Sequence, residues 1–165
     1  MRVLGLNDQF YIKTNSEESY SSRLVIGAFG KRSWLDKKLD RNFINKRSPY
    51  IAIKYHIITK ETDENTIALH NFHNGYCGIS QIEKGTYNLC YLSHRSNLKK
   101  HASIQEMENN ILKKNPFLKR IFNNSEFLFE KPEVINEISF ERKYPVFRHI
   151  LMAGDSAGMI TPLCG

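Results

Sequence analysis

The chain has 165 residues, the length of one ordinary domain. Its 41% apolar and 12% aromatic content is enough to bury a core, which excludes bulk disorder. A net charge of +7 and a pI near 9.3 come from scattered lysines, with small clusters at Lys37-Lys38, Lys99-Lys100 and Lys113-Lys114. That scatter is the pattern of a solvated surface rather than of a nucleic-acid footprint.

Residues 1–22 are short strand material. Gln9 to Thr14 carries β-favouring side chains, and Asn15 to Ser19 is polar enough for a hairpin turn. Leu24-Val25-Ile26 reads as a fully buried parallel strand, followed by Gly27-Ala28-Phe29-Gly30 and the basic pair Lys31-Arg32. Leu35, Leu39 and Phe43 stand four apart, as on an amphipathic helical turn or two, with Trp34 as a core anchor.

Tyr50 to Thr59 alternates as a strand, with Ile51, Ile53, Tyr55 and Ile57 on one face and Ala52, Lys54, His56 and Ile58 on the other. Ile67 to Phe72, Tyr76 to Glu83 and Thr86 to Leu92 complete an antiparallel meander, with a hairpin signal at His73-Asn74-Gly75. Tyr87, Leu89 and Tyr91 share a face. Gly78 in mid-strand either leaves space on one face or marks a bulge. Ser103-Ile-Gln-Glu106 is a capping box that opens a helix with Ile104, Met107, Ile111 and Leu112 on one stripe. Asn115-Pro116 caps a second helix carrying Leu118 and Ile121. Phe127 to Phe129 and Ile135 to Phe140 are two further strands. Phe147 to Met152 is another, and it returns the chain to the first sheet.

The last strand runs into Ala153-Gly154-Asp155-Ser156-Ala157-Gly158, the composition of a sharp strand-to-helix turn. Pro162 and Gly165 follow as a Pro-x-x-Gly. Gly-Asp-Ser-Ala-Gly with that spacer resembles the second flavin motif of FAD-dependent hydroxylases of the para-hydroxybenzoate hydroxylase fold, with geranylgeranyl reductases and flavin halogenases as relatives. The resemblance extends to Ile26, Gly27, Ala28, Gly30 and Ser33. It departs at Phe29, where the family has an aspartate that helps place FAD pyrophosphate and reduced nicotinamide. It is partial at Gly75-Tyr76-Cys77-Gly78, a stretch the family turns toward substrate.

The resemblance implies an α/β (α+β) fold. Residues 1–48 and 141–165 would form part of a Rossmann-like FAD-binding domain, and residues 49–140 an antiparallel substrate-side sheet with a helical insert. It implies cofactor-binding positions at Gly30, Gly154, Asp155, Ala157 and Gly158, with Asp155 on the ribityl chain. Pro162 and Gly165 would pass beside the isoalloxazine, and Tyr76 and Gly78 would line a substrate pocket. Lys31 and Arg32 either lend charge near a phosphate or face water. The family's G-x-G-x-x-G fingerprint does not occur in the sequence, so the chain reads as an internal fragment of a larger flavoprotein, inactive alone.

The expected function is that of an FAD-dependent oxidoreductase, monooxygenase-like or reductase-like, acting on an apolar or aromatic small molecule. NAD(P)H is the candidate electron donor that Phe29 puts in question. No nucleophile triad or acid pair stands at a telling spacing, so no catalytic acid or base is assigned. The alternative is a basic module that stacks single-stranded nucleic-acid bases on Tyr55, Tyr76, Tyr87 and Tyr91.

His70, His73, His94 and His101 fit no zinc spacing, so no metal is expected. His56 and His70 are candidates for facing positions near a pocket. Cys77, Cys90 and Cys164 lack C-x-x-C spacing and read as free thiols of a cytoplasmic protein, Cys77 and Cys90 packing as small hydrophobes. No apolar run approaches the ~18 residues of a membrane span, so no stable membrane insertion is expected.

Overall fold

The computed structural model describes residues 2–6, 9–83, 85–138 and 140–159. In chain order the strands and helices are β1 (Arg2–Leu6), β2 (Gln9–Lys13), β3 (Ser19–Ser22), β4 (Ile26–Gly27), α1 (Trp34–Lys38), β5 (Tyr50–Ile58), β6 (Ala68–Phe72), β7 (Gly75–Glu83) and β8 (Thr86–His94). There follow α2 (Arg95–Lys99), α3 (Ile104–Asn110), α4 (Pro116–Asn124), β9 (Glu126–Phe127), β10 (Glu133–Ile138), β11 (Val146–Phe147) and β12 (Ile150–Met152). The chain divides into two compact units, Met1–Arg47 with Ser139–Gly165, and Ser48–Ile138. No helix among the described residues is long and apolar enough to cross a membrane.

The first unit holds two small sheets. One is the antiparallel meander β1-β2-β3. In the other, β12 lies between β11, antiparallel to it, and β4, parallel to it. Val25, Ile150 and Met152 are buried together, with Phe29, Leu39 and Phe147 packed against them. Leu24 and Ile26 are exposed, 55% and 57%, so β4 is buried on one face only and not on both as its apolar run predicts. Trp34 is 47% exposed with the Lys38 ammonium 4.5 Å over its ring, which corrects the reading of it as a core anchor. The predicted strand 147–152 is broken by a two-residue turn. Arg148 and His149 both take left-handed backbone angles, φ 49° and 66°, the geometry that a tight hairpin requires.

Helix α1 stops before Asp40, whose left-handed φ of 55° ends it, and its side chains are drawn into a polar network. Ser33 caps it by accepting from Leu35 N, and Asp36 Oδ2 reaches back to Ser33 N at 2.8 Å. Asp36 Oδ1 pairs with Arg41 Nη1 at 2.8 Å, and both side chains are almost wholly buried. The Arg41 guanidinium also donates to Tyr144 O and lies over the Phe43 ring.

The second unit is an antiparallel sheet in the order β10-β5-β8-β7-β6, with β9 paired to the end of β5. Alternation decides which side is core. Ile51, Ile53, Tyr55 and Ile57 of β5 join Tyr87, Leu89 and Tyr91 of β8 and Cys77 and Ile79 of β7 under Met107, Leu112, Leu118 and Ile121. The helices start where the caps predict: Ser103 Oγ accepts from Glu106 N at 3.1 Å, and Asn115 Oδ1 from Phe117 N at 2.9 Å.

Tyr55, Tyr87 and Tyr91 are therefore buried beneath helices, and Tyr76 lies on the opposite face. This removes the shared tyrosine platform that the base-stacking alternative requires. His56 and His70 fall on opposite faces rather than facing one another, because His70 pairs with core-facing Cys77 and stacks on Phe117. Cys77 packs in the core as a small hydrophobe, and Cys90 stands half-buried on the other face.

One carboxyl sits inside this core. Glu108 is 5% exposed, and its Oε1 accepts from Tyr55 Oη at 2.9 Å and Tyr91 Oη at 2.6 Å. Burial raises its pKa above the ordinary 4.5, against the opposing pull of the tyrosine hydroxyls and the Lys113 charge. A carboxyl whose folded value lies above its unfolded value contributes most below the unfolded value, and loses that contribution as pH rises through the folded one. The stability of the native chain relative to Glu108→Gln should therefore fall as pH rises from about 4, read from urea midpoints at stepped pH. A constant difference would place the ionised carboxylate in the core at no cost.

Two glycines of β7 separate by crowding. A Cβ on Gly75 would collide with the Leu92 carbonyl oxygen and the Phe72 ring, whereas one on Gly78 would make an ordinary 3.4 Å contact with Leu69. Gly75→Ala should cost on the order of 3 kcal/mol. Gly78→Ala should stay within about 1 kcal/mol. Denaturant titration of the two variants measures both.

Candidate functional site

In the first unit the parallel strands β4 and β12 end side by side, with Leu151 opposite Ile26 and Met152 opposite Gly27. The loops that leave their carboxyl ends are thereby neighbours, the place where open α/β sheets take ligands. Gly27 is crowded by side chains: a Cβ there would stand 2.7 Å from the Phe29 ring and 2.9 Å from Met152 Sδ. Gly30 and Gly154 are required by conformation, with φ 83° and 58°, and nothing lies within 4 Å of where a methyl group would stand on either. Each leaves bare backbone facing open space.

The two loops are stitched together. Ala153 N donates to Gly27 O at 3.1 Å, and Ser156 Oγ to Gly30 O at 3.2 Å. Lys143 does most of the joining. Its ammonium donates to Lys31 O at 2.6 Å and to Asp155 O at 2.7 Å, and lies 4.4 Å from the centre of the Phe43 ring. Lys143 is 7% exposed. Burial pulls its pKa below the usual lysine range, the carboxylates of Asp36 and Asp155 oppose that, and the guanidinium groups of Arg41 and Arg32 add to it. Arg32 itself donates to Ile44 O at 2.6 Å, so its head is directed into the unit.

Of the predicted cofactor positions, Gly30, Gly154, Asp155, Ala157 and Gly158 come together on these two loops. Pro162 and Gly165 lie outside the described residues, as does Cys164. Gly154 to Ser156 form a single 3-10 turn, closed by Ala157 N to Gly154 O at 2.8 Å, where the sequence predicts the start of a longer helix. The Asp155 side chain is exposed, and Ser156 is buried. A cleft of about 520 Å³ runs along the same strands, lined by Val25, Phe29, Leu35, Leu39, Arg148 and Ile150 among others; Asp155 stands outside it.

In the second unit Tyr76 and Gly78 face away from the helices. Gly78 pairs with Leu69 on one side and Cys90 on the other, and Cys90 pairs with Lys54. Register is unbroken at Gly78; the irregularity of β7 lies at Gln81/Glu83, so Gly78 leaves space and is no bulge. Burial raises the pKa of the Tyr76 hydroxyl, with Cys90 adding to it. Burial also raises that of the Cys90 thiol, against the Lys54 charge. On this face Asn88 Oδ1 is buried without a hydrogen-bond partner among the described residues.

Lys143, Ser156 and Asn88 escape sequence reasoning. A lysine between Arg142 and Tyr144 in a charged loop carries no sign of being buried. A serine in a small-residue turn reads as packing, and an asparagine in a strand as solvent-facing. Among the described residues no three His, Cys, Asp or Glu side chains gather as metal ligands.

No protein-family model and no curated protein matches the chain. Solved structures do. Halogenase PltM in complex with phloroglucinol and FAD superposes with a TM-score of 0.72 at 12% identity, over 99% of this chain and 37% of that one. A flavoprotein/dehydrogenase from Cytophaga hutchinsonii gives 0.68 at 13%, over 99% and 42%. HpxO from Klebsiella pneumoniae, complexed with FAD and uric acid, gives 0.65 at 14%, over 98% and 43%. The chain spans about two fifths of the length of these structures. At such identities the likeness is one of backbone, and over nearly all its length the chain has the mixed α/β fold that these flavoproteins share.

Proposed function

We propose that this chain belongs to an FAD-dependent oxidoreductase, monooxygenase-like or reductase-like, acting on an apolar or aromatic small molecule. The observation that carries the reading is the pair of glycine turns held at one end of a parallel strand pair, with a free carboxylate on the second. The residues present fit the polyol middle of the cofactor. Gly30 and Gly154 offer accessible backbone, and the exposed Asp155 carboxylate is an acceptor for ribityl hydroxyls. FAD, when bound, supplies the redox chemistry by reacting with oxygen or by passing hydride to an alkene.

The chain's own residues position. Lys143 fixes the backbone of Lys31 and Asp155 together, and so fixes where the Asp155 carboxylate stands relative to Gly30. Phe29 cannot accept a hydrogen bond, so nothing at that position orients a nicotinamide amide or a phosphate-bound water. In the second unit Tyr76, Gly78 and Leu69 present a mostly apolar surface with one hydroxyl, suited to a ring or chain with a single polar group.

Asp155→Ala should weaken FAD binding by the protein about tenfold or more, the worth of a hydrogen bond to a charged acceptor. Quenching of flavin fluorescence on titration measures it, and an unchanged affinity removes Asp155 from the site. Lys143→Met, which keeps the carboxylate but frees both loops, should also weaken FAD binding about tenfold. Combined with Asp155→Ala it should add less than its own effect, since both changes act through one contact. Full additivity would separate Lys143 from the placement of Asp155.

A further inference from the structure

The helix-covered side of the second unit's sheet contains a cleft unrelated to the flavin reading. It has a volume of about 710 Å³, the size of a small-molecule site, and opens between α3 and the segment that carries β9. Its floor is Glu108. Both tyrosine hydroxyls that satisfy this carboxyl donate to Oε1, no described residue donates to Oε2, and Glu108 lines the cleft. An almost wholly buried side chain thus carries one unpartnered oxygen beside a cavity. A carboxylate oxygen that no protein donor satisfies, on a side chain otherwise held in an apolar core, is open to a cation.

The walls favour an organic cation over a metal ion. Phe122 and Phe127 are half-buried and line the cleft with ring centres 5.7 Å apart, and Phe129 reaches its edge with its ring 4.8 Å from that of His56. Aromatic rings and a carboxylate that line one cleft are the recognition chemistry of ammonium groups. The charged groups at the rim are Lys113, Glu130 and Lys131. Lys113 is the nearest competitor, but its ammonium donates to Asn123 Oδ1 at 3.1 Å and lies 5.9 Å from the Phe122 centre.

We propose that this cleft binds a small organic ammonium of arylalkylamine size. Its charged head meets Glu108 Oε2, and its carbon body lies against Phe122 and Phe127. The site is on the opposite side of the sheet from Tyr76 and Gly78, so a molecule bound there is a second ligand and not the substrate of the proposed oxidoreductase.

Titration of the protein with phenethylamine, followed by backbone amide NMR shifts, tests this. Saturable shifts are expected at Gln105, Glu108, Asn109 and Phe127, with phenethyl alcohol binding at least tenfold more weakly. Glu108→Gln, which keeps an acceptor for both tyrosines, should abolish the preference for the amine. Lys113→Ala, on the rim and outside the core, should tighten amine binding severalfold by removing the competing charge. Equal binding of amine and alcohol, amine binding unchanged in Glu108→Gln, weakened amine binding in Lys113→Ala, or shifts confined to other residues would overturn the proposal.

Discussion

A buried ammonium, with two direct hydrogen bonds beside it, holds the candidate cofactor loops in place. Parallel pairing of β4 with β12 brings the two loops to one edge, but two short strands fix little beyond that edge. Lys143 crosses from its own loop to the carbonyl oxygens of Lys31 and Asp155 and rests on the Phe43 ring. A buried cation is costly unless its donors are satisfied, so the two carbonyls must stay where the ammonium can reach them. Phe43 is itself covered by Arg41, which Asp36 neutralises at 2.8 Å. Helix α1, the loop before β11 and the two glycine turns are thus one connected polar structure. Disturbing Asp36 would be felt at Asp155 through four named contacts.

The second unit solves a different problem. Its long strands have one apolar side, and helices α3 and α4 cover it. The other side keeps Lys54, Tyr76, Cys90 and Asn88 partly in solvent. Burying Glu108 among the isoleucines is tolerated because two tyrosines deliver hydroxyls to it from adjacent strands, Tyr55 of β5 and Tyr91 of β8. Each tyrosine buries its ring and satisfies its polar tip, and so contributes to both the packing and the polar network.

What could be read from the sequence follows from how local each signal is. The β5 alternation, the Ser103 and Asn115 caps and the glycine-aspartate turn are written within a few residues, and each appears in the structure at its expected place. The fold of the pieces could be read from the resemblance as well. The missed features are long-range. Leu24 and Ile26 read as buried because their neighbours are apolar, but whether both faces of a strand are covered depends on partners far along the chain. The turn at Arg148-His149 carries neither glycine nor asparagine, so the local pattern runs a strand straight through it. Lys143 is brought into the site by a hydrogen bond to a residue more than a hundred positions away. No window of sequence around it carries that information.

The Phe29 ring has a consequence for how this loop could have changed over time. The ring occupies the volume beside Gly27 and Met152 that any side chain at position 27 would need. An aspartate at position 29 would vacate that volume and set a carboxylate against a thioether and the buried face of Ile150. Replacement there is therefore unfavourable unless neighbouring positions are refilled in step. A chain with aspartate at 29 beside this Gly27 would have to close the space over the strand pair with another side chain, and Met152 is the nearest one.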